Sequence, residues 1–170
     1  MRKLFTLCSI LFISFLFVSC SSDKPDDLPI SINATAQKSF TIIAAAGDET
    51  SKEVTFALSD FAALKDYMKY VESGSVETSS SYIEVKGNTE NVELTNVRLS
   101  MSRDSKKFII LEEVNSNKKY QGLSHLNFLQ NIIDEMSSRD SSTVKLSYKA
   151  NSNITLPVTI TIYISSRFTF

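Results

Sequence analysis

Near its C-terminus the chain alternates without a break: Leu156, Val158, Ile160, Ile162 and Ile164 are apolar, with Pro157, Thr159, Thr161, Tyr163 and Ser165 between them. A period of two places the five apolar side chains on one side of an extended backbone, and β-branched residues at both parities suit a pleated strand. Such a strand cannot stand alone, because its apolar face needs a second apolar layer to cover it. Pro157 cannot donate to a ladder, so it predicts an edge or strand-entry position.

The same period recurs in shorter pieces. Ile30, Ile32 and Ala34 share one parity, Val54, Phe56 and Leu58 another, and Val144, Leu146 and Tyr148 a third. Phe40-Thr41-Ile42-Ile43 reads as a strand that leaves through a turn over 44–49, and strand-like runs follow at 82–85, 92–94, 97–101 and 108–111. The apolar parity changes between Leu94 and Val97, which predicts a bulge or turn near Thr95-Asn96. Two segments switch to a helical period. Phe61, Leu64, Met68 and Val71 predict one short amphipathic helix, with Ser59 or Asp60 as N-cap and Gly74 as its stop. Leu126, Leu129, Ile133 and Met136 predict another, with Ser124 as N-cap and Gly122 just outside. The shared spacing hints at an internal duplication, although any amphipathic helix lying on a sheet carries such a stripe. The fold expected is all-β with minor α: a β-sandwich of about eight strands with two short connecting helices, forming a single domain over 29–170.

Composition excludes several classes of function. The chain balances 18 basic against 19 acidic residues, and the basic Arg2 and Lys3 belong to a leader, so the rest is net acidic. Nucleic-acid binding relies on clustered positive charge, and none is expected here. The two cysteines, Cys8 and Cys20, both fall in the first 20 residues. The domain therefore holds no thiol for a disulfide, a thiolate metal site or Cys-based catalysis.

Those first residues have the layout of an export signal: a basic start at Arg2 and Lys3, then an apolar run from Leu4 to Val18. The run is Ser-interrupted and short of the roughly 20 apolar residues of a permanent span, so residues 1–19 read as removable. The run ends in Phe17-Val18-Ser19-Cys20, which resembles the lipobox of bacterial lipoproteins, with Phe17 in place of the usual Leu. The resemblance implies that Cys20 takes a thioether-linked diacylglycerol and becomes the first residue of an acylated protein. Residues 20–28, Ser21-Ser22-Asp23-Lys24-Pro25-Asp26-Asp27 among them, are polar enough to serve as a flexible tether. They also resemble the acid-rich stretch after the cysteine of surface-exported Bacteroidetes lipoproteins, interrupted here by Lys24 and Pro25. Taken with the strand order, the chain resembles the small, uncharacterised, single-domain sandwich lipoproteins of that group. This implies a cell-envelope location, lipid-anchored to the outer membrane and leaning towards the outer surface, with a plain periplasmic linker as the alternative.

Catalytic side chains are sparse. His125 is the single histidine, in the first turn of the second predicted helix, where a solvent-facing role outweighs that of a general base. Glu112-Glu113 and Asp134-Glu135 are adjacent carboxylates, but neighbours on a strand or helix face different ways. No phosphate-binding glycine loop, nucleophile elbow or metal-ligand spacing is present, so no catalytic residue, metal or cofactor is expected. For partner contact the candidates are tyrosines. Tyr163 has the parity opposite to the apolar residues of its strand, and Tyr120 sits in a Lys-rich loop, 117–122; both are expected to expose their rings. The leading expectation is a non-enzymatic binding or structural module presented to a protein or glycan. The alternatives are a carrier of a small apolar ligand in the periplasm and a glycan-binding accessory protein.

Overall fold

The computed structural model describes residues 27–87, 92–114 and 117–170. The predicted signal, Cys20 and the tether as far as residue 26 lie outside the described residues.

The long alternating segment becomes β9, Ile154–Thr169, and everything else is arranged around it. On one side it pairs along almost its whole length with β1, Ser31–Ala44; on the other it pairs with β3, Ser73–Val76, and then β4, Tyr82–Gly87, which carries β7, Lys118–Tyr120. All these pairings are antiparallel, and together they make a five-stranded sheet. Four further strands make a second sheet in the order β2, β8, β5, β6: Glu49–Ala57, Ser141–Ala150, Leu94–Met101 and Phe108–Ile110. The chain is thus a two-sheet β-sandwich, with nine strands among the described residues.

One folded ribbon joins the two sheets. The register that pairs Ala44 with Ile154 in the first sheet is the register that pairs Glu49 with Lys149 and Ala57 with Ser141 in the second. The same two chain segments therefore run side by side through both sheets, bending over at residues 45–48 and 151–153. The bend keeps its backbone bonded, with Gly47 N–H donating to Ala150 O at 2.7 Å and Ala150 N–H to Asp48 O at 2.9 Å. Gly47 has φ +94°, a conformation that glycine adopts without a steric penalty.

Between the sheets lie Phe40, Phe56, Ile83, Leu99, Leu146, Ile160 and Ile162, all nearly or fully buried. Pro157 holds the strand-entry position expected of it, at an irregularity where the register shifts between Ile42 and Ala44. That irregularity turns Leu156 out, leaving it 53% exposed, so the inward alternation begins at Val158 rather than at Leu156. The bulge predicted near Thr95-Asn96 is present, with a register shift between Thr95 and Arg98 and Asn96 at φ 54°.

The helices differ from expectation. The second is α1, Leu123–Arg139, with Phe128, Leu129, Ile132, Ile133 and Met136 buried; its N-cap is Gly122, and Ser124 stands inside the first turn. The first is not an α-helix. Its stripe resolves into three 3₁₀ turns, Leu58–Asp60, Ala62–Leu64 and Met68–Tyr70, and Gly74, the expected stop, lies within β3. Phe61 and Leu64 still reach the core, but tertiary anchors set the backbone. Leu58 N–H donates to Asp140 O at 3.2 Å, and the Asp60 carboxylate accepts from Ala57 N–H at 2.8 Å and from Lys38 Nζ at 2.6 Å. A 3₁₀ turn advances ~2.0 Å per residue against ~1.5 Å for an α-helix, which helps this short segment cross from β2 to β3. With one stripe helical and the other not, the apparent duplication has no structural counterpart.

Side chains close the open flanks of the sandwich. On the flank where β1 and β2 are the edge strands, Lys38 reaches Asp60 and Lys52 donates to the carbonyl of Thr41. On the other flank α1 packs against β3 and β8, and Gln130 completes the edge of β3, accepting from Val76 N–H and donating to Gly74 O, both at 2.9 Å. The helix lies so close that a Cβ on Gly74 would stand 2.5 Å from Ile133 Cγ2.

Candidate functional site

Inward-facing Ile83, Val85, Ile160 and Ile162 force their neighbours onto the outer face of the five-stranded sheet. Register aligns those neighbours in rows across the strands. Gln37, Tyr163 and Tyr82 form one row; Ser39, Thr161, Glu84 and Lys119 the next; Thr41, Thr159 and Lys86 a third.

The residues of these rows hold one another. Tyr82 and Tyr163 stack at 4.6 Å between ring centroids with planes 30° apart. The Lys119 ammonium lies 4.3 Å from the centre of the Tyr82 ring and 3.8 Å from Glu84 Oε1, while Lys86 Nζ is 2.9 Å from Glu84 Oε2. Glu84 is only 6% exposed although it sits on an outer face, because the lysine stems and rings around it keep water off. The Glu84 carboxylate holds the Lys86 ammonium above its ordinary pKa by hydrogen bonding and charge. Ser39 and Thr161 share a hydroxyl hydrogen bond of 2.9 Å. Beyond Tyr163 lies a depression of about 460 Å³ walled by Thr35, Gln37, Asp60, Ser80 and Tyr163. The surface thus combines aromatic rings, amide and hydroxyl groups, and a fixed carboxylate flanked by two lysines, a set suited to recognition.

Of the two tyrosines singled out in the sequence, Tyr163 stands on this face, half-buried by its stacking on Tyr82. Tyr120 does not present an exposed ring. Residues 118–120 are a strand rather than a loop, and pairing with Ile83 turns Tyr120 inward, where it is 6% exposed and its hydroxyl donates to the Glu112 carbonyl. Burial, then the charges of Glu113 and Glu112, pushes its phenol up to about 12. Tyr120 lies against a second depression, of about 430 Å³, together with Glu112, Lys118 and His125. The His125 ring is 5.3 Å from that of Tyr120, and burial followed by the nearby Lys118 charge lowers its pKa.

The adjacent carboxylates diverge as the sequence implies. Asp134 accepts from Gln130 at 2.7 Å, whereas Glu135 accepts from Ser142 at 2.8 Å and faces Arg103 at 3.7 Å. Among the described residues, no group of three or more His, Cys, Asp or Glu is placed to hold a metal ion.

Sequence reasoning missed Glu84 and Lys119, and it counted Tyr82 only as one of six tyrosines without preferring it. Alternation around Ile83 and Val85 already turns Tyr82 and Glu84 outward, but their meeting with Tyr163 depends on strand pairing, which no local pattern carries.

No protein-family model matches the chain, and no curated protein matches it. Among solved structures it is similar to the BFDV capsid protein in a decameric and a 60-mer form, with 13% and 11% identity and TM-scores of 0.41 and 0.40. The similarity covers 82% of this chain and 98% and 92% of those chains. At that level of likeness, nothing about binding or assembly carries over.

Proposed function

We propose that this protein is a lipid-anchored envelope lipoprotein of the outer membrane, leaning towards the outer surface, and that it acts as a non-enzymatic binding module for a protein or glycan. The observation that carries the binding reading is the outer face of the five-stranded sheet, where the Tyr82–Tyr163 stack adjoins a carboxylate that is 6% exposed and held between two lysines. Holding these groups in place lowers the entropy cost of ligand binding. The anchoring reading rests on the order of basic start, apolar run and Val18-Ser19-Cys20. More than one acyl chain makes such anchoring stable. The apolar-carrier alternative gains no support from the interior, where Phe40, Phe56, Phe61, Phe128 and Phe168 occupy the space a ligand would need.

Two measurements on cells test the proposal. Metabolic labelling with an alkyne fatty acid should mark the full-length protein and not Cys20→Ser, and external protease should degrade it on intact cells. A photo-cross-linking residue at position 163 should capture a partner, while one at position 147, on the outer face of the other sheet, should not. Unlabelled wild-type protein sinks the anchor, and equal capture from the two positions sinks the assignment of the binding face.

A further inference from the structure

The row of rings on the five-stranded sheet ends beside a depression. Lys119 lies over Tyr82, and Tyr82 covers one side of Tyr163. Tyr163, but not Tyr82, is among the residues that line the depression beyond. Thr35, Ala36, Gln37, Asp60, Ser80 and Ile164 line the same space, of about 460 Å³. The volume falls within the ~300–1,000 Å³ typical of small-ligand sites.

We propose that this depression binds a neutral pyranose unit of a glycan chain, stacked on Tyr163 and hydrogen-bonded by Gln37, Thr35, Ser80 and Asp60. The inference rests on reading this face as a recognition surface, and it names the ligand. A pyranose has a C–H-rich face for an aromatic ring and a rim of hydroxyls that both donate and accept, which matches a lining that combines a tyrosine with hydroxyl, amide and carboxylate side chains. A wholly apolar ligand would cover those polar groups without pairing them, at a cost. An acidic sugar would bring its charge towards Asp60, the acidic side chain in the lining. That carboxylate is fixed by Lys38 Nζ at 2.6 Å and Ala57 N–H at 2.8 Å, yet each oxygen retains capacity to accept from a sugar hydroxyl.

The test is affinity electrophoresis of the full-length protein, solubilised in mild detergent, in native gels cast with amylose, laminarin, yeast mannan or arabinogalactan, and with polygalacturonate as the acidic comparison. At least one neutral polymer should retard the protein. Tyr163→Ala and Gln37→Ala should each weaken that retardation about tenfold, whereas Tyr163→Phe, which keeps the ring, should stay close to wild type. Thermal melts check folding, and if Tyr163→Ala does not fold, Gln37→Ala and Thr35→Val decide. Absence of retardation by all four neutral polymers, retardation by polygalacturonate alone, or retardation indifferent to these substitutions overturns the proposal. If the neutral polymers fail while position 163 cross-links a protein on cells, the saccharide groove falls and the recognition face stands; if neither is seen, both fall.

Discussion

The two outer faces of the sandwich are built from the same alternation and come out differently. On the four-stranded sheet, Glu49, Ser51 and Glu53 lie opposite Lys149, Ser147 and Lys145, and the Lys149–Glu49 pair at 3.2 Å is between 45 and 72% exposed. Water solvates each member, and such pairs contribute little. On the five-stranded sheet, the carboxylate of Glu84 is nearly covered and its lysines lie across it and across a tyrosine. A polar position in a strand pattern is therefore not one kind of position. What distinguishes the outer face of the five-stranded sheet is that its polar groups are held and partly dried by one another.

The comparison breaks most readily at the carboxylates. Glu84→Ala should destabilise the protein by about 1–2 kcal/mol in urea unfolding, because it removes a nearly buried acceptor shared by two cations. Glu49→Ala should cost less than about 0.5 kcal/mol. Equal costs would mean that the two faces differ only in appearance. Next in size is Tyr82→Ala, which removes the stacking on Tyr163 and the seat of Lys119 and should cost about 1 kcal/mol. Ser147→Ala on the opposite face should lie within about 0.5 kcal/mol of wild type.

A further effect lies on the inner side of the five-stranded sheet. Tyr120 faces inward with its phenol pushed from 10.0 up to about 12. The unfolded chain then gives up this proton before the folded one does. The stability linked to Tyr120 is fully present below pH 10 and is lost as pH rises through about 12. Tyr120→Phe should flatten the alkaline loss of stability measured by urea unfolding in that window, and an unchanged slope would mean that the Tyr120 phenol is not held in the buried environment assigned to it.

How much of this was legible in the sequence differs by element. Alternation in Val158–Ile164 identifies β9 because the period of two is imposed by the backbone itself, and the parity change at Thr95-Asn96 marks a bulge for the same reason. The two helical stripes show the limit. Both carry apolar residues at helical spacing, yet only 123–139 forms an α-helix, since Lys38 at Asp60 and Asp140 at Leu58 bind the earlier segment from outside its own sequence. β3 was not legible, because Ser73-Gly74-Ser75-Val76 has no alternating apolar set, and its pairing comes from β9 and Gln130. Within the candidate site, Tyr163 could be placed on an outer face by parity alone. Tyr120 was misplaced because its surroundings, Lys118, Lys119 and Gln121, are those of a solvated loop, while the register with Ile83 turns its ring inward.

The smallest expected effect bears most directly on why the two faces differ. Raising salt from about 0.1 M to about 1 M shortens the Debye length from ~10 Å to ~3 Å, and exposed pairs are screened accordingly. Glu49→Gln should change stability by at most a few tenths of a kcal/mol at low salt and by nothing measurable at high salt. Glu84→Gln tests a different situation. The ammonium of Lys86 is exposed, but the carboxylate it approaches is not, so ions reach only one end of the contact. Its cost should therefore persist largely unchanged across the same range. If urea unfolding shows both costs fading together, burial of Glu84 does not shield the pair. The five-stranded face would then be, electrostatically, the same solvated surface as its counterpart.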